Sequence, residues 1–200
     1  MADVDAKTVM ALRKRTGAPM MDCKKALIEA GGSMEKAVEI LRKKGLQQAD
    51  RKADRDVKEG MIFSYIHHDA KLGVLAEIAC ETDFVARNEQ FQQFGKDLCL
   101  HIAAMRPRHL SREEVTPEGI EKERNFQLER TREQMAGKPD QVIEKAVDGR
   151  MNKFFEEHCL VDQPWVKDDA KTVEGARKEL VGSLGENIQI RRFHRMELGG

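Results

Sequence analysis

LGVLAEIACETDFVARNEQF, residues 72–91, is the stretch on which the reading of the fold turns. In its first part Leu72, Val74, Ala76, Ile78 and Cys80 alternate with their neighbours, so one face of a half-buried strand carries all five. Its last part opens a helix, because Phe91, Phe94, Leu98, Ile102 and Met105 recur at helical spacing up to the break before Pro107. Between strand and helix stands Glu81-Thr82-Asp83-Phe84-Val85, with a large aromatic just beyond the strand and beside two carboxylates. Such a phenylalanine is either a hydrophobic staple at a helix entry or an anchor for a partner's pocket.

Outward from this stretch the remaining elements fall into place. Upstream, Met61–Ile66 is β-prone and His67-His68-Asp69-Ala70-Lys71 reads as the turn of a hairpin. Further upstream lie three short helical patterns. Val9–Lys14 ends at Thr16-Gly17; Cys23, Ala26, Leu27 and Ala30 follow Pro19; Ser33 caps a third helix with Met34, Ala37, Val38 and Leu41, expected to stop at Lys43-Lys44-Gly45. Downstream, Thr116-Pro117-Glu118 starts a charged helix, Gly137-Lys138-Pro139 breaks the chain, and Ile143, Val147, Met151, Phe154 and Phe155 mark the return. These two form a helical hairpin expected to project from the body. Gln163-Pro164-Trp165 reads as a loop, Val173, Ala176 and Leu180 as a helix ended by Gly185, and Ile188 to Leu198 as a last strand. The expected class is α+β, with a three-stranded antiparallel sheet covered by helices and a small N-terminal three-helix bundle. The expected domains are 1–50 (bundle), 51–59 (basic linker) and 60–200 (core, with the hairpin at 117–160).

Composition narrows the function classes. Of 200 residues 40% are apolar and 35% charged, which describes a folded, helix-rich chain with one Trp and one Tyr. No apolar run nears the roughly 20 residues of a membrane span, and no secretory signal is present, so a cytoplasmic protein is expected. Thirty-five Lys and Arg balance thirty-five Asp and Glu, which argues against nucleic-acid binding by bulk charge. Arg42–Lys58 is locally basic, and reads as a solvated linker helix or as an RNA- or ubiquitin-like-binding adaptor face. Cys23, Cys80, Cys99 and Cys159 are widely spaced, without the close pairs of a structural zinc site, despite His101 near Cys99 and His158 beside Cys159. They are expected to be small core residues.

Catalytic grammar is sparse. The chain contains no phosphate-binding glycine loop, dinucleotide fingerprint, nucleophile elbow or H-E-x-x-H helix. His67-His68-Asp69 supplies a base without a nucleophile nearby except Ser64. No cofactor is expected, and a binding module fits better than an enzyme. Its candidate contacts are Phe84 and the neighbouring pair Met20 and Met21. Adjacent helical residues point about 100° apart, so at least one of these methionines is expected to be exposed.

Two stretches resemble signatures of one family. LRKRTGAPMMDCKKAL (Leu12–Leu27) and ETDFVARNEQF (Glu81–Phe91) are similar to those of elongation factor Ts, the guanine-nucleotide exchange factor for the translational GTPase elongation factor Tu. SYIHHDAKLGVL (Ser64–Leu75), KPDQVIEKAVDGRMNKFFEE (Lys138–Glu157) and GENIQIRR (Gly185–Arg192) extend the resemblance in family order. It implies a ubiquitin-associated-like N-terminal domain, an α+β core, and release of GDP by disturbance of the partner's Mg²⁺ and phosphate contacts. The implied site is an interface: Thr82, Asp83, Phe84 and Val85 as the turn that enters the GTPase; Arg13, Met20, Met21 and Lys24 on the N-terminal domain; and His67 in the hairpin turn. Pro19 stands where many members have Gly. Longer members hold two related core halves, whereas this chain has one, which implies a homodimer. Phe63, Leu75 and Ile190 are expected at its apolar sheet interface.

Overall fold

The structure, a computed structural model, describes residues 4–199. Helix α1 (Ala6–Thr16) is capped by Asp5, whose carboxylate accepts from the Thr8 N–H at 2.6 Å. Helix α2 (Met20–Glu29) follows Pro19, and α3 (Met34–Lys52) starts at the expected cap Ser33. The three enclose a small core of Val9, Leu12, Cys23, Ala26, Leu27, Ala37 and Leu41.

Strands β1 (Glu59–Ile66) and β2 (Leu72–Cys80) form the hairpin, with Glu59 paired to Cys80 and Ile66 to Gly73. After the single turn α4 (Asp83–Ala86) comes α5 (Glu89–Met105), which packs on both strands. Helices α6 (Pro117–Gln134) and α7 (Asp140–His158) form the hairpin around Gly137, with a separate core of Ile143, Val147 and Met151. Strands β3 (Pro164–Trp165) and β4 (Asp168–Thr172) form a short ribbon ahead of α8 (Val173–Leu184). Strand β5 (Ile188–Glu197) then adds antiparallel to β2, giving the order β1-β2-β5.

The anticipated α+β architecture is therefore present, with three local differences. First, α3 does not stop at Lys43–Gly45 but runs on to Lys52. A glycine inside a helix costs about 1 kcal/mol against alanine, yet Gly45 lies where α3 crosses α8 against Gly182, and this close packing overrides the local stop signal. As a result Leu41 is buried in the bundle and Ala49 in the main core, so one rod serves both. Second, Gln163-Pro164-Trp165, read as a loop, holds the first strand of the β3–β4 ribbon, and Asp168–Thr172, to which the sequence reading assigns no strand, forms the second. Trp165 is buried and stacks on Phe94 and His101, with ring centres 5.6 and 5.3 Å away. Third, Phe63 and Ile190 are buried against the helices, not presented on the open sheet face. Both pair with core-facing residues of β2, Phe63 with Ala76 and Ile190 with Ile78. Of the three residues expected on the open face, Leu75 alone is exposed there.

The basic run is largely committed within the chain. Arg42 pairs with Glu179 at 3.3 Å, Lys44 with Glu29 at 2.7 Å, and Arg55 with Glu81 at 3.4 Å. Lys52 Nζ donates to the Gly185 carbonyl at 2.5 Å. All four cysteines are buried, and burial pushes the Cys80, Cys99 and Cys159 thiols up to about 11. His101 is fully buried with both ring nitrogens engaged. Its Nδ1 accepts from the Val166 N–H at 3.2 Å, so Nε2 donates to Gln163 Oε1 at 2.9 Å.

Two predictions follow from this packing. A Cβ on Gly182 would sit 2.6 Å from the Gly45 Cα, whereas a Cβ on Gly45 would meet the Gly182 Cα at an ordinary 3.7 Å. Gly182→Ala should destabilise the fold by roughly 1–3 kcal/mol, and Gly45→Ala should be neutral or stabilising by up to about 1 kcal/mol. Urea unfolding of the two variants reads this asymmetry. The second concerns pH. Burial holds the His101 imidazole below its ordinary value, so at acidic pH the unfolded chain takes up a proton that the folded chain refuses. Stability should be fully present above about pH 6.5 and fall below it. Burial shifts His158 in the same direction. Thermal melts from pH 7.5 to 5 should show a loss that is smaller in His101→Gln, although that variant starts from a lower melting temperature.

Candidate functional site

The candidate site begins where the sheet ends. Beyond the pair Cys80↔Ile188 the backbone ladder stops, and the amides it frees need new partners. Side chains supply them reciprocally. The Thr82 N–H donates to Glu186 Oε2 at 3.0 Å, and the Asn187 N–H donates to Glu81 Oε1 at 2.6 Å. The Thr82 hydroxyl donates to Glu186 Oε1 at 2.7 Å while accepting from the Val85 N–H at 3.5 Å, so Thr82 also caps α4. The buried Cys80 thiol donates to the Thr82 carbonyl at 3.1 Å.

This clasp fixes which way the next residues point. Val85 and Ala86 are buried in the main core, and within a single helical turn that directs Phe84 outward. Phe84 is 83% exposed, the largest value among the exposed large apolar residues described. The staple alternative therefore does not describe this corner. Asp83 is also at the surface, where Arg87 one turn on pairs with it at 3.2 Å. Val85, expected at the surface, is 9% exposed and anchors the turn from below. The Thr82 side chain is occupied by Glu186 and the cap. Of the four residues of the turn, Asp83 and Phe84 present side chains to solvent.

The N-terminal residues lie next to this corner. Arg13 is exposed in the last turn of α1, and Met20 and Met21, at 40% and 62% exposure, open α2. Lys24 is exposed one turn further along α2. A groove lined by Met10, Arg13, Met20, Asn88, Gln90 and Ser183 joins the bundle to the start of α5, directly after the Phe84 turn. Gly17 closes its floor. Its φ of 69° suits the end of α1, and a side chain there would strike Gln90 and Ser183. Met21 and Lys24 lie outside the groove lining.

His67 lies elsewhere. Its N–H donates to the Leu72 carbonyl at 2.8 Å, and its Nδ1 is 2.8 Å from the Tyr65 hydroxyl, so the ring is held against the hairpin end while His68 is exposed. Strand β2 runs from this turn to the Phe84 corner, a separation of roughly 25 Å at about 3.3 Å per residue. Within one chain His67 and Phe84 therefore occupy opposite ends of the sheet.

The open face of that sheet carries an apolar patch beside the Glu77–Arg192 ion pair and His194. Ile62, Ile66, Leu75 and Met196 are exposed on it, at 69%, 65%, 50% and 76%. They belong to the alternate positions that face away from α5. Among the described residues no group of three or more His, Cys, Asp or Glu is arranged to hold a metal. No described helix is long and apolar enough to cross a membrane. The residues that sequence reasoning missed are Glu81, Glu186 and Asn187. Glu186 meets Thr82 across 104 residues of chain, so nothing local marks the contact.

Comparison with known proteins places this geometry in context. A family model described as Elongation factor TS matches residues 33–179. The chain is 53% identical to the elongation factor Ts of Geobacter metallireducens, over 98% of this chain and 90% of that protein. It is 49% identical to that of Fervidobacterium nodosum and 50% identical to that of Thermosipho melanesiensis, each over 98% of this chain and 99% of the relative.

Proposed function

The chain belongs to the elongation factor Ts family of translation elongation factors, and from that membership we propose that it accelerates GDP release from elongation factor Tu by binding alone. The observation that carries the reading is Phe84, a large aromatic left 83% exposed on a corner that side-chain hydrogen bonds and a buried Val85 hold in place. Burying an aromatic side chain in a partner yields roughly 1.5–3 kcal/mol from area alone. A corner fixed before contact does not have to be ordered at binding.

The mechanism follows from linkage. A partner bound by both GDP and this protein obeys reciprocity: whatever factor the protein takes from GDP affinity, GDP takes from its own. Phe84 acts as the wedge, entering the GTPase beside its Mg²⁺ and phosphate contacts, with Asp83 next to it. Arg13, Met20, Met21 and Lys24 hold the nucleotide-binding domain from the adjacent bundle. The wedge forms and breaks no covalent bond, and the protein is released unchanged when GTP binds.

His67, as the family's second contact, is out of reach of the Phe84 site on the same chain, and this separation supports a two-copy assembly. The dimer forms through the open sheet face, Ile62, Ile66, Leu75 and Met196 of one copy against those of the other. His67 of one copy and Phe84 of the other then address one GTPase.

Two measurements check these statements. Stopped-flow release of labelled GDP from elongation factor Tu should be accelerated by the wild-type protein. Phe84→Ala should lose about 30-fold or more of that acceleration, the equivalent of roughly 2–4 kcal/mol for a central anchor. Its melting temperature should stay close to wild type, because the residue is exposed; activity lost in proportion to unfolding would refute the wedge. Light scattering at micromolar concentration should report close to twice 22.8 kDa, reduced to one copy by Leu75→Asp. A wild-type monomer with full exchange activity would remove the dimer.

A further inference from the structure

The resting geometry of Phe84 depends on a residue far away in sequence. Six long-range hydrogen bonds meet at the loop Gly185-Glu186-Asn187 between α8 and β5. Glu186 takes both the N–H and the hydroxyl of Thr82. The Asn187 N–H reaches Glu81. The Asn187 side-chain amide, fully buried, donates to the Ala53 and Arg55 carbonyls at 3.1 and 2.9 Å. Lys52 donates to the Gly185 carbonyl. The loop thus ties the end of α3, and with it the bundle that carries Arg13 and Met20, to the corner that carries Phe84.

We propose that Glu186 is a positioning residue for nucleotide exchange, acting through Thr82 to hold the Phe84 turn in the geometry that enters the partner. The proposal rests on the exchange reading above. Its physical basis is the pattern of donors and acceptors. A carboxylate accepts two hydrogen bonds at once and donates none, which matches the N–H and O–H that Thr82 presents. Such charge-assisted bonds are about twice as strong as neutral ones. The Thr82 hydroxyl, once committed to Glu186, leaves its lone pairs for the Val85 N–H, so one carboxylate orients the cap of α4 as well as its approach. Without Glu186 the Thr82 hydroxyl is free to rotate, its N–H goes unpaired, and the turn samples other orientations of Phe84. The corner then reaches the binding geometry for only part of the time, and the apparent affinity falls by that fraction.

The test is a double-mutant cycle in the labelled-GDP release assay, preceded by the wild-type control. A wild-type protein that fails to accelerate release refutes the exchange reading itself, independently of Glu186. With an active wild type, Glu186→Ala should lower the acceleration about tenfold, as expected for loss of a charge-assisted pair of bonds. In a Phe84→Ala background the same substitution should change it less than about twofold, because the residue it positions is gone. Glu186→Gln, which keeps the shape and one good acceptor, should fall between, and serves if the alanine variant folds poorly. On the other side of the contact Thr82→Val, which removes the hydroxyl that Glu186 accepts from, should lower the acceleration in the same way. Equal losses with and without Phe84 would show a merely structural role, and full activity of Glu186→Ala would show none; either result overturns the proposal.

Discussion

Gly45 and Gly182 let α3 and α8 approach closely, and most of the rest of the structure depends on that contact. With no side chain on either, α3 and α8 cross nearly backbone to backbone. The crossing carries the bundle onto the core through one continuous helix, with Leu41 buried on one side and Ala49 on the other. Around the glycines the contact is closed by charges, Arg42 to Glu179 and Lys178 to Asp50. Pairs of this partly exposed kind add little stability individually, about 0–1 kcal/mol each. Their role is to define rotation about a contact whose distance packing has already set. The same crossing brings the end of α3 beside Gly185, where the loop that clasps the Phe84 corner begins.

What was readable in the sequence follows from the range of the interactions. Alternation in Leu72–Cys80, the cap at Ser33, the proline after Thr116 and the glycine stop at Gly185 are local signals, and each marks an element the structure contains. The helix stop at Gly45 misled because its deciding partner is Gly182, invisible to any local window. The β3–β4 ribbon escaped notice because Asp168–Thr172 lacks an apolar alternation; its strands are pinned by Trp165 stacking on Phe94 and His101. Phe63 and Ile190 were assigned to the wrong face for a related reason. Choosing the open side of a sheet requires knowing on which side α5 lies, and periodicity alone gives two faces without labelling them.

The candidate site divides along the same line. Phe84 could be singled out from the sequence because a lone aromatic after a strand is unusual in a chain with so few. Its exposure could not, since both packing and recognition place an aromatic at such a corner. The burial of Val85 and Ala86 decides it, because in a single turn two inward residues leave the third outward. Glu186 falls within the stretch GENIQIRR, yet its partner lies 104 residues away. Carboxylates that satisfy amides at the end of a sheet leave no periodic trace.

A wedge must be stiffer than what it enters. If the Phe84 corner yielded as easily as the nucleotide site it meets, contact would deform the corner and leave GDP bound, because a ligand shifts an equilibrium only by its differential affinity for the two states. The corner is arranged against yielding: its amides are paired, its cap hydroxyl is used twice, and the residues after Phe84 are packed into the main core. Stiffness by itself, however, gives binding without direction. On the exchange reading, the groove that runs from Arg13 and Met20 to Asn88 would add a second point of contact at a fixed separation, set by α3 and its crossing with α8. A GTPase held at two fixed points has less freedom to turn away from the wedge than one held at a single point. On the exchange reading, the energy of the peripheral contacts is then available to work against the nucleotide's own contacts. On that reading the close helix crossing, which ends beside the groove at Ser183, is what makes that transfer possible.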